Sequence, residues 1–203
     1  MLGAQVLLGA LSSAAAGGAD PVGPSAMGFP VVVVPGGWAR YQVDSRSGPQ
    51  LLVVRVGKAD ADGREPGRWL SFEYESPGMG RVELQMLVVG KTLSAPNVRR
   101  VRVAIAGKQQ PESKPQTRAV PKAVEKKLMR KSRQTIANRK LVVEEYEIGG
   151  GEGVGWSPEV PGTGLVYVEG IGEMHLVAFG VGADPWVSGI EPAAQPSAPS
   201  GGR

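Results

Sequence analysis

From Gly37 onward, apolar and polar residues alternate with a period of two. That is the spacing of a strand showing one face to a core and the other to water. In WARYQVDSR, Ala39, Tyr41 and Val43 share one face, while Arg40, Gln42 and Asp44 share the other. LLVVRVG (51–57) reads as a more buried strand, and the polar KADADGREPG (58–67) as a hairpin loop. Leu70, Phe72 and Tyr74 then alternate with Ser71, Glu73 and Glu75, and SPGMG turns the chain. Val82, Leu84, Met86 and Val88 share the next face. After the loop KTLSAPN, Val101, Val103 and Ile105 stand opposite Arg100, Arg102 and Ala104. Five strands joined by short turns predict an antiparallel meander, polar on one side.

The rhythm breaks between Lys108 and Asn138. GKQQPESKPQT is polar and interrupted by proline, a loop. PKAVEKKLMRKSRQT (121–135) opens on Pro121, which suits a first helical turn, and places Val124 and Leu128 four apart. It is expected to form a short cationic helix or a loop. Alternation returns in KLVVEEYEI (140–148), GGGEG turns, and VGWS is a short strand. PEVPGTG follows as a connection hinged by Pro158 and Pro161. LVYVEG and EMHLVAFG read as the arms of a closing hairpin that turns at 170–172. No period of 20 to 50 residues repeats, which excludes propellers and solenoids.

Composition narrows the chemistry. Among 203 residues there are 30 Gly, 17 Pro and 11 aromatic side chains, a profile of short strands and many turns. There is no cysteine, so disulfides, thiol catalysis and thiolate metal sites are excluded. A single histidine, His175, excludes histidine pairs. The formal charge of +4 is unevenly spread: residues 114–140 hold ten Lys or Arg against Glu125 alone, a net of +9, which leaves −5 for the rest.

The ends read differently. MLGAQVLLGALSSAAAGGADP has an apolar run of the length of a signal h-region, small residues to Ala19, and no basic n-region. Residues 1–19 are expected to be a cleaved export signal, leaving no transmembrane segment in the mature chain and a periplasmic or secreted protein. Residues 20–36 are expected to be a flexible lead-in, and the Pro/Ala/Ser-rich 191–203 a disordered tail.

The order GGWARYQV … LLVVRVGKADADG … WLSFEYES … VELQMLVVG resembles exported bacterial proteins of the lipoprotein-localisation-factor-like superfamily. Members tend to begin with a Gly-x-Trp-x-x-Tyr strand, matched by Gly37-Trp38-Ala39-Arg40-Tyr41 with one shifted spacing. They close with a Trp-x-Ser-x-x-Val-Pro-x-x-Gly-Leu-Val segment and an apolar strand ending in Phe-Gly. Trp156 to Val166, one residue out of spacing near Trp156, and Ala178-Phe179-Gly180 are similar. The resemblance covers about residues 37–184. It implies a strongly bent antiparallel sheet (half-barrel) whose concave apolar face is covered by helices or loops. With this chain's own pattern the expected fold is mainly β, with a short basic helix or loop insertion at 108–139 and few other helices. The single β-rich domain is then 37–190. Characterised relatives carry lipid-modified polypeptides across the periplasm. This chain departs from them in its scarcity of helix and its basic insertion.

The resulting expectation is a non-enzymatic envelope protein that binds an apolar ligand, lipid or lipoprotein on the concave face. Tyr41, Phe72, Tyr74, Leu84, Met86 and Leu165 are the candidate contacts, although alternation alone does not say which face is concave. The alternative is an envelope interaction module whose sheet buries its apolar surface and leaves no pocket. Lys126, Lys127, Arg130, Lys131 and Arg133 are candidates for an anionic membrane surface. They suit nucleic acid less well, because no aromatic is interleaved from 108 to 139. His175 as a general base has Glu173 as its only local carboxylate on the same strand face, and reads as a surface residue. Glu144, Glu145 and Glu147 read as a solvated strand rather than an acid–base pair. GGGEGVG (149–155) leads into a strand, not a helix N-terminus, so it does not match a phosphate loop. No cofactor or metal is implied. Intact mass measured after expression in a secreting host is expected to show loss of residues 1–19; an intact leader in the exported protein contradicts the expectation.

Overall fold

A computed structural model describes residues 27–45, 48–76, 80–113, 125–149, 151–170 and 173–182. The expected leader 1–19 and tail 191–203 lie outside these residues. The chain forms β1 (Gly37–Ser45), β2 (Gly48–Asp62), β3 (Glu65–Ser76), β4 (Gly80–Val89), β5 (Val98–Ile105) and β6 (Lys108–Gln109). After these come β7 (Lys126–Ile136), β8 (Arg139–Ile148), β9 (Glu152–Trp156), β10 (Leu165–Glu169) and β11 (Met174–Val181). The helix among the described residues is one short 3-10 turn, Ala95–Asn97. None is long and apolar enough to cross a membrane.

All eleven strands belong to one antiparallel sheet, ordered β6-β5-β4-β3-β2-β1-β11-β10-β9-β8-β7. Two meanders, β1–β6 and β7–β11, are joined where the first strand pairs with the last. Register carries one apolar face across the first meander: Tyr41 lies beside Leu52, Leu52 beside Tyr74, Val54 beside Phe72, Phe72 beside Leu84, and Leu70 beside Met86. The same face crosses the seam, where Tyr41 meets Leu176 and Val43 meets Met174. These residues form one core cluster with Val154, Val166 and Val168 of the second meander.

The sheet is open but strongly bent. A strap, residues 27–34, runs between its two arms. Gly28 N donates to Leu93 O, Leu93 N to Phe29 O, and Val31 N to Lys91 O, all in the β4–β5 connection. On the other side Lys126 of β7 donates to Gly28 O at 2.7 Å, and the Phe29 ring meets Tyr146 of β8 edge-on at 5.2 Å. β4 and β7 stand eight places apart in the sheet, which on a flat sheet would be about 38 Å at the usual strand spacing. The β4–β5 connection on one side and β7 on the other both reach residues 28 and 29, so the sheet must curl. Further along, Val32 and Gly162 exchange backbone hydrogen bonds, and Trp156 Nε1 donates to Pro30 O. Phe29, only 4% exposed, is the strap's anchor in the core.

Two parts of the chain differ from the sequence expectation. The basic segment, expected as a helix or loop, is over residues 126–136 an edge strand. It is held by the β8 ladder and by a two-residue turn at Ala137-Asn138, where both φ values are positive (49° and 61°), as a tight hairpin requires. The Val124–Leu128 spacing has no helix behind it, since Leu128 lies within β7 opposite Tyr146. The polar stretch 58–67, expected as a loop, is mostly ladder. β2 and β3 pair out to Asp62 and Glu65, turning at Gly63-Arg64, with an irregularity between Val56 and Ala59. Ala59 and Ala61 do alternate with Lys58, Asp60 and Asp62, but they are small and exposed, so the ribbon buries no apolar stripe for alternation to report.

Replacing Phe29 by alanine removes the strap's buried anchor and should cost about 3–5 kcal/mol in urea unfolding. A loss below about 1 kcal/mol would show that the strap adds little to the core.

Candidate functional site

The six candidate contact residues come together on the inner face, within or against one core cluster. Tyr41, Phe72, Leu84, Met86 and Leu165 are buried and Tyr74 is half-buried. Tyr41 has a second task. Its hydroxyl hydrogen-bonds Thr163 Oγ1 and donates to Leu165 O, each at 3.1 Å, tying β1 to the segment entering β10. Burial pushes its phenol well above the ordinary tyrosine range. The strap covers this face from the solvent side, with Phe29 inserted against Tyr146. Residues 27–34 fall within the span expected to be flexible. The signal that could have flagged them is Phe29-Pro30 followed by four valines, an unusual composition for a solvated lead-in.

Two glycines in the stretch 154–182 are fixed by packing. A side chain at Gly155 would place its Cβ 2.4 Å from the Tyr167 ring. At Gly164, where φ is +71°, it would sit 2.1 Å from Trp156 Nε1. Both positions let an aromatic ring lie flat on the backbone. The preceding glycines turn β8 into β9 and lead to no helix.

The five basic candidates all lie on β7, where they serve different ends. Arg130 grips Glu145 through Nη2 at 2.8 and 3.0 Å, and Lys131 reaches Glu144 at 2.7 Å. Glu145 also accepts from Gln134 and Ser132, and Glu144 from the Tyr146 hydroxyl. Lys126 turns inward over the Phe29 ring at 4.5 Å, and burial lowers its pKa. Lys127 and Arg133 make no ion pair among the described residues. Hydrogen bonds from Lys131 and from Arg130 hold the Glu144 and Glu145 carboxyls, respectively, below the ordinary range. Burial first, then Glu144, pushes the Tyr146 phenol up to about 12. Burial and then the Glu145 charge do the same for Tyr167.

His175 lies on β11, Glu173 immediately precedes that strand, and the β1–β11 pairing adds Asp44; one ligand atom from each lies within 4.8 Å of the others. Sequence reasoning found Glu173 but missed Asp44, which is visible only once the register of two strands far apart in sequence is known. Two carboxylates and an imidazole can ligate a divalent ion.

On the outer face, the buried Glu73 lies between Arg55 and Arg81, while Trp69 donates to Asp60 and carries Arg100 and Arg102 over its ring. These arginine stems cover apolar surface in the way long cationic side chains do.

No family model matches this chain, and no curated protein matches it. Three solved structures are similar in outline. One is a candidate lipoprotein from Parabacteroides distasonis ATCC 8503, at 8% identity and TM-score 0.38, over 75% of this chain and 99% of that one. Another is MucB in complex with MucA(peri), at 12% identity and TM-score 0.35, over 94% and 60% of the two chains. The third is MucB alone, at 13% identity and TM-score 0.34, over 78% and 57%. The chain therefore spans 60% or less of the MucB chains. Likeness this loose leaves the chemistry to be argued from the chain's own residues.

Because Glu144 and Glu145 titrate lower folded than unfolded, their contribution is fully present above the ordinary carboxylate range and is lost as pH falls through it to their folded pKa values. Hydrogen exchange in β7 should therefore accelerate relative to β2 as pH drops from about 6 to about 3, after correction for intrinsic rates. A constant ratio contradicts the ion-pair account of this hairpin.

Proposed function

We propose that this protein is a non-enzymatic exported binding module that takes an acyl chain, free or attached to a polypeptide, against its inner apolar face when the strap lifts. The observation that carries the reading is the strap itself. The strap contributes one buried ring, Phe29, to the inner face, from a segment whose Pro30 and Val33 are exposed. Its backbone holds reach Lys91, Leu93 and Gly162, and each is worth about 1 kcal/mol net. Lifting the strap exposes Phe29 but breaks none of the pairings among the eleven strands, so it is a local opening. Tyr41, Phe72, Tyr74, Leu84, Met86 and Leu165 then face the ligand, an apolar surface with the Tyr41 hydroxyl already committed to Thr163 and Leu165. Export rests on the 1–19 pattern, and a cysteine-free chain loses nothing in an oxidising compartment.

A second reading is favoured by the near-complete burial of five of those six side chains. In it the core is permanently filled and the chain is an envelope interaction module without a pocket.

A lock on the strap separates the two. Pro30 and Thr92 are antiparallel bridge partners flanked by the Val31–Lys91 and Leu93–Phe29 bonds, the closely spaced kind of pair that accepts a disulfide. Since the chain has no cysteine, the double substitution Pro30→Cys/Thr92→Cys gives one defined pairing. Reduced protein should bind dansyl-undecanoic acid saturably and release it to palmitate, and oxidised protein about tenfold less tightly or worse. No binding by wild-type protein at about 100 μM would leave the filled-core reading. Equal binding in both redox states would place the probe elsewhere.

A further inference from the structure

β7 ends the sheet, and among the described residues its ladder partner is β8 alone. On that side it already receives an acidic strand: β8 lays Glu144, Glu145 and Glu147 along it in register with Lys131, Arg130 and Lys127. Arg130 and Lys131 hold two of those carboxylates. The opposite edge of a strand offers the same alternation of N–H and C=O groups. Along it Lys127 and Arg133 are without ion-pair partners among the described residues, and Leu128 and Met129 are 53% and 55% exposed.

Cations on an edge strand commonly guard against accidental pairing. That explains the lysines and arginines. It does not explain two adjacent large apolar side chains at the irregularity between Leu128 and Arg130. A second β7 would set like charges opposite one another, which disfavours self-pairing. Nucleic acid would want an aromatic to stack on, and β7 has none.

We infer that the outer edge of β7 takes an extended acidic peptide as an additional antiparallel strand. Its backbone completes the ladder, its carboxylates meet Lys127 and Arg133, and its apolar side chains rest on Leu128 and Met129. This mode repeats on one edge what β8 does on the other. It is independent of the inner face, so the strap lock leaves it unchanged.

The test uses the full chain and a fluorescein-labelled peptide of the β8 sequence, LVVEEYEI, beside the same peptide with its three glutamates as lysines. The acidic peptide should bind saturably and the lysine peptide at least about tenfold more weakly. Affinity should fall with added salt. At saturation, β7 amides should gain protection from hydrogen exchange while β8 amides keep theirs, which excludes displacement of β8. Lys127→Glu/Arg133→Glu should weaken the acidic peptide at least about tenfold. Met129→Ser, at an exposed position that leaves folding intact, should weaken it too. The inference is overturned if the two peptides bind alike or if β7 protection does not change. It is equally overturned if both sets of substitutions bind as wild type, or if phosphatidylglycerol vesicles bind the chain while the acidic peptide does not.

Discussion

The pairing of β1 with β11 is the constraint on which the rest of this molecule depends. Each meander is assembled from neighbours in sequence, but the two become one sheet along a seam between residues well over a hundred positions apart. Tyr41 sits on that seam. Its ring joins the inner face beside Leu176, and its hydroxyl reaches across to Thr163 and Leu165, 122 and 124 residues away. A buried hydroxyl without partners would cost about 1–3 kcal/mol, a penalty these two hydrogen bonds remove. Long-range pairing of this kind is formed late and slowly in folding, because loop closure must precede any reward.

Once the seam is made, the inner face is continuous and must be covered. An open sheet cannot close on itself as a barrel does, so the chain covers the face with its own strap. The strap acts as a ruler for the bend: residues 28 and 29 reach the β4–β5 connection on one arm and β7 and β8 on the other. Its hold on the sheet is made of backbone bonds to the β4–β5 connection and to Gly162, the Lys126 and Trp156 side chains, and the buried Phe29 ring. The outer face is managed differently, by arginine stems over Trp69 and by the Arg55–Glu73–Arg81 group.

Much of the first meander was legible because each strand from β1 to β5 has apolar residues at every second, inner-face position. Alternation reads that directly, even though Val53, Trp69 and Leu87 are buried on the other face. Alternation put Tyr41, Phe72, Leu84 and Met86 each on the apolar face of its own strand, and the resemblance grouped them on one concave face. β7 could not be read this way. Its residues KKLMRKSRQTI show no buried stripe, and its strand conformation comes from the acidic partner β8 and the Ala137-Asn138 turn. A helical spacing of two apolar residues was therefore misleading. The β2–β3 ribbon failed for a related reason, since a solvated hairpin has no inside for periodicity to report. The Asp44–Glu173–His175 group and the bridging role of Phe29 are non-local. They depend on register and curvature, which no window along the chain contains.

Where Phe29 sits in solution decides whether the inner face is covered. In a nuclear Overhauser experiment on the folded chain, the Phe29 ring should show cross-peaks to the Tyr146 ring and to Leu93, placing it between the two arms of the sheet. Phe29 resonances at random-coil positions, with no cross-peak to either residue, would contradict both the covered inner face and the function drawn from it.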